Sequence, residues 1–216
     1  MPSAPEFSAQ MAEMFHKHYH HTFAAHGPGP RGVDWRDAST ADARYQAMLG
    51  IIEKNILSPS LLDVGAGCGG LLGYAKTHSI LLQYTGVDMV AEMVQAGKRL
   101  HPEATFARGD FLALPFKPQS IDYVVCNGIL TQKLTASARE MDDFAQLLLC
   151  RMFEVARRGI AFNVMSSHVN FMVDNLYYRN PAEMLAWCQT EFSPKAVLDH
   201  AYMPYEYTLR VYRDDP

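Results

Sequence analysis

Leu61-Leu62-Asp63-Val64-Gly65-Ala66-Gly67-Cys68-Gly69-Gly70 sets a short apolar run against four glycines, with an acid between them. Ser60–Val64 reads as a strand and Leu71–Thr77 as a helix, so the glycines form their connection. Glycine has no Cβ, so this loop can turn tightly with φ > 0 and let a ligand touch the backbone. The helix that follows offers unpaired N–H groups at its N-terminus to a polar or anionic moiety. Gly65-x-Gly67-x-x-Gly70 also fits a dinucleotide fingerprint, and a tight turn between strand and helix needs little more. The glycines alone therefore leave the ligand open.

Outward from this loop the periodicity alternates. Ile80–Val87, Ala104–Ala107, Ile121–Cys126 and Ile160–Met165 read as further strands. Met89–Leu100, Ala138–Ala156 and Pro181–Thr190 read as helices between or after them. Ala196–Tyr202 and Tyr205–Tyr212 alternate like an antiparallel hairpin turning at Met203–Pro204. Upstream, Phe7–Ala25 has helical spacing and stops at His26-Gly27-Pro28-Gly29-Pro30; Arg31–Asp37 reads as a loop. Ser39 or Thr40 can N-cap a second helix reaching about Lys54. Strands alternating with helices imply a parallel sheet with its ligand at the carboxyl ends of the strands.

Three acids sit at such ends. Asp63 lies two residues before the first glycine, Asp88 ends Tyr84-Thr85-Gly86-Val87, and Asp110 follows Gly109 after the third strand. Each alone can be a helix N-cap. Together, in this order, they suit a nucleoside bearing positive charge: Asp63 for a cationic amino group, Asp88 for ribose hydroxyls, Asp110 for an adenine amino group. A dinucleotide with two phosphates would be repelled.

Asp63–Gly69 resembles the DxGxGxG motif of class I S-adenosylmethionine-dependent methyltransferases, and Asp88, Gly109-Asp110 and Ile121–Cys126 fall where that family's later motifs fall. The resemblance covers roughly Leu61 to Tyr212. Gly32-Val33-Asp34-Trp35, Ile160-Ala161-Phe162-Asn163 and Tyr177-Tyr178-x-x-Pro181 are similar to a group of small stand-alone bacterial members. It implies an α/β, Rossmann-like, seven-stranded, mostly parallel sheet with a C-terminal antiparallel hairpin. It also implies S-adenosylmethionine as cofactor, with Asp63, Gly65, Ala66 and Gly67 at the methionine end. Asp88 and Met89 then face the ribose, Gly109, Asp110 and Phe111 the adenine, and Asn127 the transferred methyl group. The chain is expected to be one domain, residues 1–216, with 1–57 a helical extension folding as a lid over a 58–216 core. Deleting residues 1–30 should then abolish turnover while the core sheet stays folded.

Methyl transfer from a sulfonium needs alignment and exclusion of water more than a fixed catalytic motif. Cys126-Asn127-Gly128-Ile129 after the fourth strand lacks the Asn-Pro-Pro-Tyr pattern of nucleobase amino-methylation, and no Pro-Cys pair is present. Asn127 can orient an acceptor or simply turn the chain. Asn163 and Ser166 after the fifth strand are candidate polar contacts. Tyr19, Trp35, Tyr177 and Tyr178 offer aromatic faces to a sulfonium or ammonium, or pack. His16, His18, His20 and His21 cluster without a HExxH arrangement, so no metal is expected; His20 is the first candidate for a general base.

The 216 residues carry a net charge of −4 and no basic stripe, which disfavours a nucleic-acid partner and leaves a small-molecule acceptor. No apolar run nears the roughly 18 residues of a membrane helix, and Met1–Gln10 lacks the pattern of a signal peptide. Cys68, Cys126, Cys150 and Cys188 form no CxxC pair, as expected of a reducing, cytoplasmic protein. The expected reaction is methylation of an oxygen or nitrogen. A cyclase or lyase releasing methylthioadenosine, a nicotinamide-dependent oxidoreductase and a non-catalytic adenosyl-binding module remain alternatives.

Overall fold

The computed structural model describes residues 4–213; Met1–Ser3 and Asp214–Pro216 of the expected domain lie outside the described residues. The chain opens with α1 (Ala4–His26), a 3-10 turn at Pro30–Val33 where a plain loop was expected, and α2 (Ala38–Leu49). Then follow β1 (Ser60–Val64), α3 (Gly70–Thr77), β2 (Gln83–Asp88), α4 (Ala91–Leu100), β3 (Thr105–Arg108) and β4 (Ile121–Cys126). A 3-10 turn at Ile129–Thr131 leads to α5 (Ala138–Val155) and β5 (Ala156–Ser166). The last elements are β6 (Tyr178–Arg179), α6 (Pro181–Glu191), β7 (Ala196–Met203) and β8 (Glu206–Tyr212).

The strands lie in the order β3-β2-β1-β4-β5-β8-β7, with the two-residue β6 beside β5 as an addition to the expected seven. β1 to β5 are parallel, and β8 runs antiparallel between β5 and β7. The chain leaves β1 toward β2 and β3, then returns to start β4 on the other side. The loops after β1 and β4 therefore diverge and open a crevice at their carboxyl ends.

Helices cover both faces of the sheet, so its central strands are apolar at successive positions. Leu62, Val64, Val124, Cys126, Ile160 and Phe162 join a core that includes α5, while Leu61, Tyr123, Val125 and Ala161 pack into a second. Neither Ser39 nor Thr40 caps α2. Asp37 does, its Oδ1 accepting from Thr40 N at 2.9 Å while Thr40 Oγ1 accepts from Asp37 N. Asp is as good an N-cap as Ser and stands two residues earlier, which places Ser39 in the first turn, where its hydroxyl donates to the same oxygen. The helix stops at Leu49 rather than near Lys54, with Gly50 at its C-cap. Ser137 with Glu140 forms a capping box at the start of α5.

α1 is more than a cover. Met11 and Phe15 are buried in the α5-side core, and the Phe15 ring lies 5.6 Å from that of Phe144. Removing this helix would uncover part of that core surface. No helix among the described residues is long and apolar enough to cross a membrane.

Candidate active site

The ends of β1, β2, β3 and β4 open on a cavity of about 350 Å³, the size range of small-molecule sites. α1 lines it with Phe15, His16, Tyr19 and Phe23, the segment after α1 with Pro30, Val33 and Trp35, and α2 with Asp42 and Tyr45. Phe15, Tyr19 and Phe23 repeat at i, i+4, i+8, one face of one helix.

The glycine loop forms the floor. Gly65, Gly67 and Gly69 have φ of 75°, 54° and 82°, the left-handed region in which a side chain is strained. Gly65 N and Ala66 N both donate to Val87 O, at 2.8 and 3.0 Å, holding the loop against the end of β2. A Cβ on Gly65 would sit 2.7 Å from Ile129 Cδ1, so a side chain here would have to push the Ile129 side chain aside.

The three acids meet at this floor. Asp63 is buried, its Oδ2 accepting from Tyr84 Oη at 2.7 Å. Burial pushes its carboxyl up to about 7, against the opposing pull of that hydrogen bond. Asp88 accepts from Val90 N through Oδ1 and from Gly67 N through Oδ2, both at 2.8 Å. Burial raises its pKa too, and those backbone N–H bonds oppose the rise. Asp110 Oδ1 accepts from Leu112 N at 3.0 Å, beside Gly109 and Phe111. Asp88 and Asp110 thus shape their own turns as well as line the cavity.

Asn127 also lines the wall. It is 9% exposed, and neither its Nδ2 nor its Oδ1 finds a hydrogen-bond partner among the described residues. A buried amide left this way costs about 1–3 kcal/mol. Next to it, Gly128 N donates to Asn163 Oδ1 at 2.8 Å, and Asn163 Nδ2 donates to Glu206 Oε1 at 2.7 Å. Glu206, fully buried, takes the Arg44 guanidinium through Nη2 at 2.6 Å and Nε at 3.0 Å. Arg44 in turn lies 5.1 Å from the Trp35 ring, and Trp35 packs on Gly128. A charged network therefore underlies the turn that carries Asn127.

Of the residues singled out in the sequence, Asp63, Gly65, Ala66, Gly67, Asp88, Met89, Gly109, Asp110, Phe111, Asn127, Tyr19 and Trp35 line this cavity. Desolvation raises the Tyr19 phenol far above its ordinary value. Five others do not reach it. His20 sits one turn beyond His16 and lies 3.4 Å from Glu92 Oε2 on α4, on an exposed surface. Asn163 lies beneath the site in the network just described. Ser166 is buried, and its Oγ accepts from His168 N. Pairing of β6 with β5 draws Tyr177 and Tyr178 away: Tyr177 donates to Asp142 Oδ1 at 2.7 Å, and Tyr178 Oη accepts from Val173 N. His16, Asp42 and Tyr45 line the wall without having been singled out as ligand contacts. Phe15 and Phe23, within the helical spacing of Phe7–Ala25, line the wall as well.

The model of the methyltransferase domain matches residues 61–148. A candidate methyltransferase of Mycobacterium tuberculosis (strain ATCC 25618 / H37Rv), Rv1506c, is 32% identical over 154 residues, spanning 70% of this chain and 92% of that protein. The magnesium protoporphyrin IX methyltransferase ChlM of Synechocystis PCC 6803, crystallised with S-adenosylhomocysteine, superposes with TM-score 0.64 at 15% identity, over 96% of this chain and 100% of that one. The [4+2]-cyclase SpnF superposes with TM-score 0.62 at 13% identity, over 97% of each chain. At such identities the structures speak for the fold, whereas the mycobacterial relative speaks for the family. The chain belongs to the class I S-adenosylmethionine-dependent methyltransferases.

Proposed function

We propose that this cavity holds S-adenosylmethionine and presents its methyl group to an oxygen or nitrogen of a small-molecule acceptor. The observation that carries the reading is Asn127, a buried amide in the cavity wall whose donor and acceptor both await partners. When bound, S-adenosylmethionine supplies a methyl group already activated by its sulfonium, so that a bond to the acceptor forms as the carbon–sulfur bond breaks. The chain's residues then bind, orient and exclude water. Gly65 and Gly67 let the backbone approach closely, and Asp63 meets the cationic amino end. Asp88 accepts from ribose hydroxyls, Met89 flanks them, and Asp110 with Phe111 holds the adenine. Asn127 orients the reacting end, and Tyr19 and Trp35 contact the acceptor from the roof. His20, turned outward to Glu92, has no part in this arrangement.

Calorimetric titration with S-adenosylmethionine and S-adenosylhomocysteine tests the site, followed by mass spectrometry of the cofactor with and without an acceptor library. Micromolar binding that Asp88→Ala weakens at least tenfold supports the reading. Methyl transfer to a library member supports the reaction. Methylthioadenosine formed without acceptor would replace it with a cyclase or lyase, and no binding of either ligand would refute the site.

A further inference from the structure

Among the described residues lining the cavity, Asp42, Asp63, Asp88 and Asp110 are acids, and none is lysine or arginine. His16 is the one histidine. Arg44, two residues after Asp42 on α2, turns its guanidinium to Glu206 and is unavailable to a ligand. Asp42 is exposed, whereas Asp63 is buried. Much of the remaining wall is apolar: Phe15, Phe23, Phe144 and Leu148 from α1 and α5, with Trp35 beside Gly128.

We infer that the acceptor is a neutral or cationic molecule with an apolar, ring-sized body, and that carboxylates and phosphates are excluded from this site. The inference rests on the cavity being the S-adenosylmethionine site. That ligand carries two positive groups and one carboxylate, a net single positive charge, so even with the Asp63 carboxyl raised to about 7 by burial the other acids of the wall stay incompletely compensated. An anion entering afterwards meets like charge in a partly buried space, where screening by water is weak, and finds no guanidinium or ammonium to pair with. An alcohol, phenol or amine meets no such opposition. An ammonium gains from the acids and from the aromatic faces. The walls bury a flat hydrocarbon body in the same way that they bury one another.

Two steps test this and keep its failure apart from that of the site. Titration with S-adenosylhomocysteine comes first; no binding would refute the site itself. The saturated complex is then probed by ligand-observed NMR with matched sets: tryptamine, indole-3-methanol and indole-3-acetate; phenethylamine, phenethyl alcohol and phenylacetate. The amines and alcohols are expected to bind at least tenfold more tightly than the carboxylate of the same set. Asp42→Lys, on an exposed helical position, is expected to narrow that gap at least threefold. Carboxylates binding as well as their neutral partners would overturn the inference, as would a saturated complex that takes none of the six. A gap unmoved by Asp42→Lys would equally overturn it, because the discrimination would not come from the charge of the wall.

Discussion

Glu206→Ala is expected to destabilise the fold by about 3–5 kcal/mol, the cost of breaking a buried ion pair from one side. Glu206 has no exposed surface, and its two oxygens take Arg44, Asn163 Nδ2 at 2.7 Å and Tyr202 Oη at 2.9 Å. Alanine strands all three donors at once. Arg44, whose side chain is 11% exposed, would hold a charge with no counter-ion and little water. At roughly 2–4 °C per kcal/mol for a chain of this size, the melting temperature should fall by about 6–20 °C. Urea unfolding followed by far-UV circular dichroism measures the free energy directly. Replacing both partners, Arg44→Met with Glu206→Leu, should be less damaging than Glu206→Ala alone, since no buried charge is left over. At a temperature where Glu206→Ala is still folded, S-adenosylhomocysteine affinity should also drop, because Asn163 no longer fixes Gly128 N. A loss below about 1 kcal/mol, or a double variant worse than the single one, would refute the claim that this network holds the turn.

Asn127→Ala should not destabilise the fold, since no hydrogen bond is lost and an unpaired buried amide is removed, yet weaken S-adenosylhomocysteine at least tenfold; a matched loss of both would make Asn127 structural. With the Asp63 carboxyl at about 7, S-adenosylmethionine affinity should rise with pH from about 6 to 8, and Asp63→Asn should flatten that profile in calorimetry. For folding the sign reverses. The folded-state pKa lies above the unfolded value near 3.9, so the stabilising contribution is full below that value and is lost as pH rises through about 7. Denaturation of wild type and Asp63→Asn at several pH values checks it. Gly69→Ala should cost about 2–4 kcal/mol, because φ is +82° and a Cβ would lie 2.7 Å from Phe106 Cζ. Gly73→Ala, inside α3 with only an ordinary contact to His101, should instead stabilise by about 0.5–1 kcal/mol; thermal melts of both variants, moving in opposite directions, check the two expectations.

The floor of the site was legible because its information is local. Asp63 to Gly70 fixes strand, turn and helix within one short stretch, and each acid stands at the end of its own strand. The roof was half legible: the spacing of Phe15, Tyr19 and Phe23 defines a face, but His16 and His20 share that helix, and only the position of α4 turns His20 outward to Glu92. Tyr177 and Tyr178 lie outside the lining of this cavity, and the two-residue strand Tyr178–Arg179 carries no period from which that placement could be read. Asn163 sits in a strand buried on both faces, where alternation does not say which face meets the ligand. Its partner Glu206 and that residue's counter-ion Arg44 are 162 residues apart and have no local signature.

β8 lies between β5 and β7, and Glu206 is its first residue. Synthesis delivers this strand after every other element described, yet it closes the interior of the sheet rather than its margin. Until it emerges, β5 has an open edge, Arg44 has no counter-ion and Asn163, which holds the turn carrying Asn127, lacks its own acceptor. A growing chain can therefore form the glycine loop early, whereas the buried ion pair beneath the Asn127 turn forms only when the first residue of β8 reaches a helix made long before. Nascent chains halted short of Glu206 should present an unpaired strand edge to proteases and chaperones, a hazard the finished sheet hides.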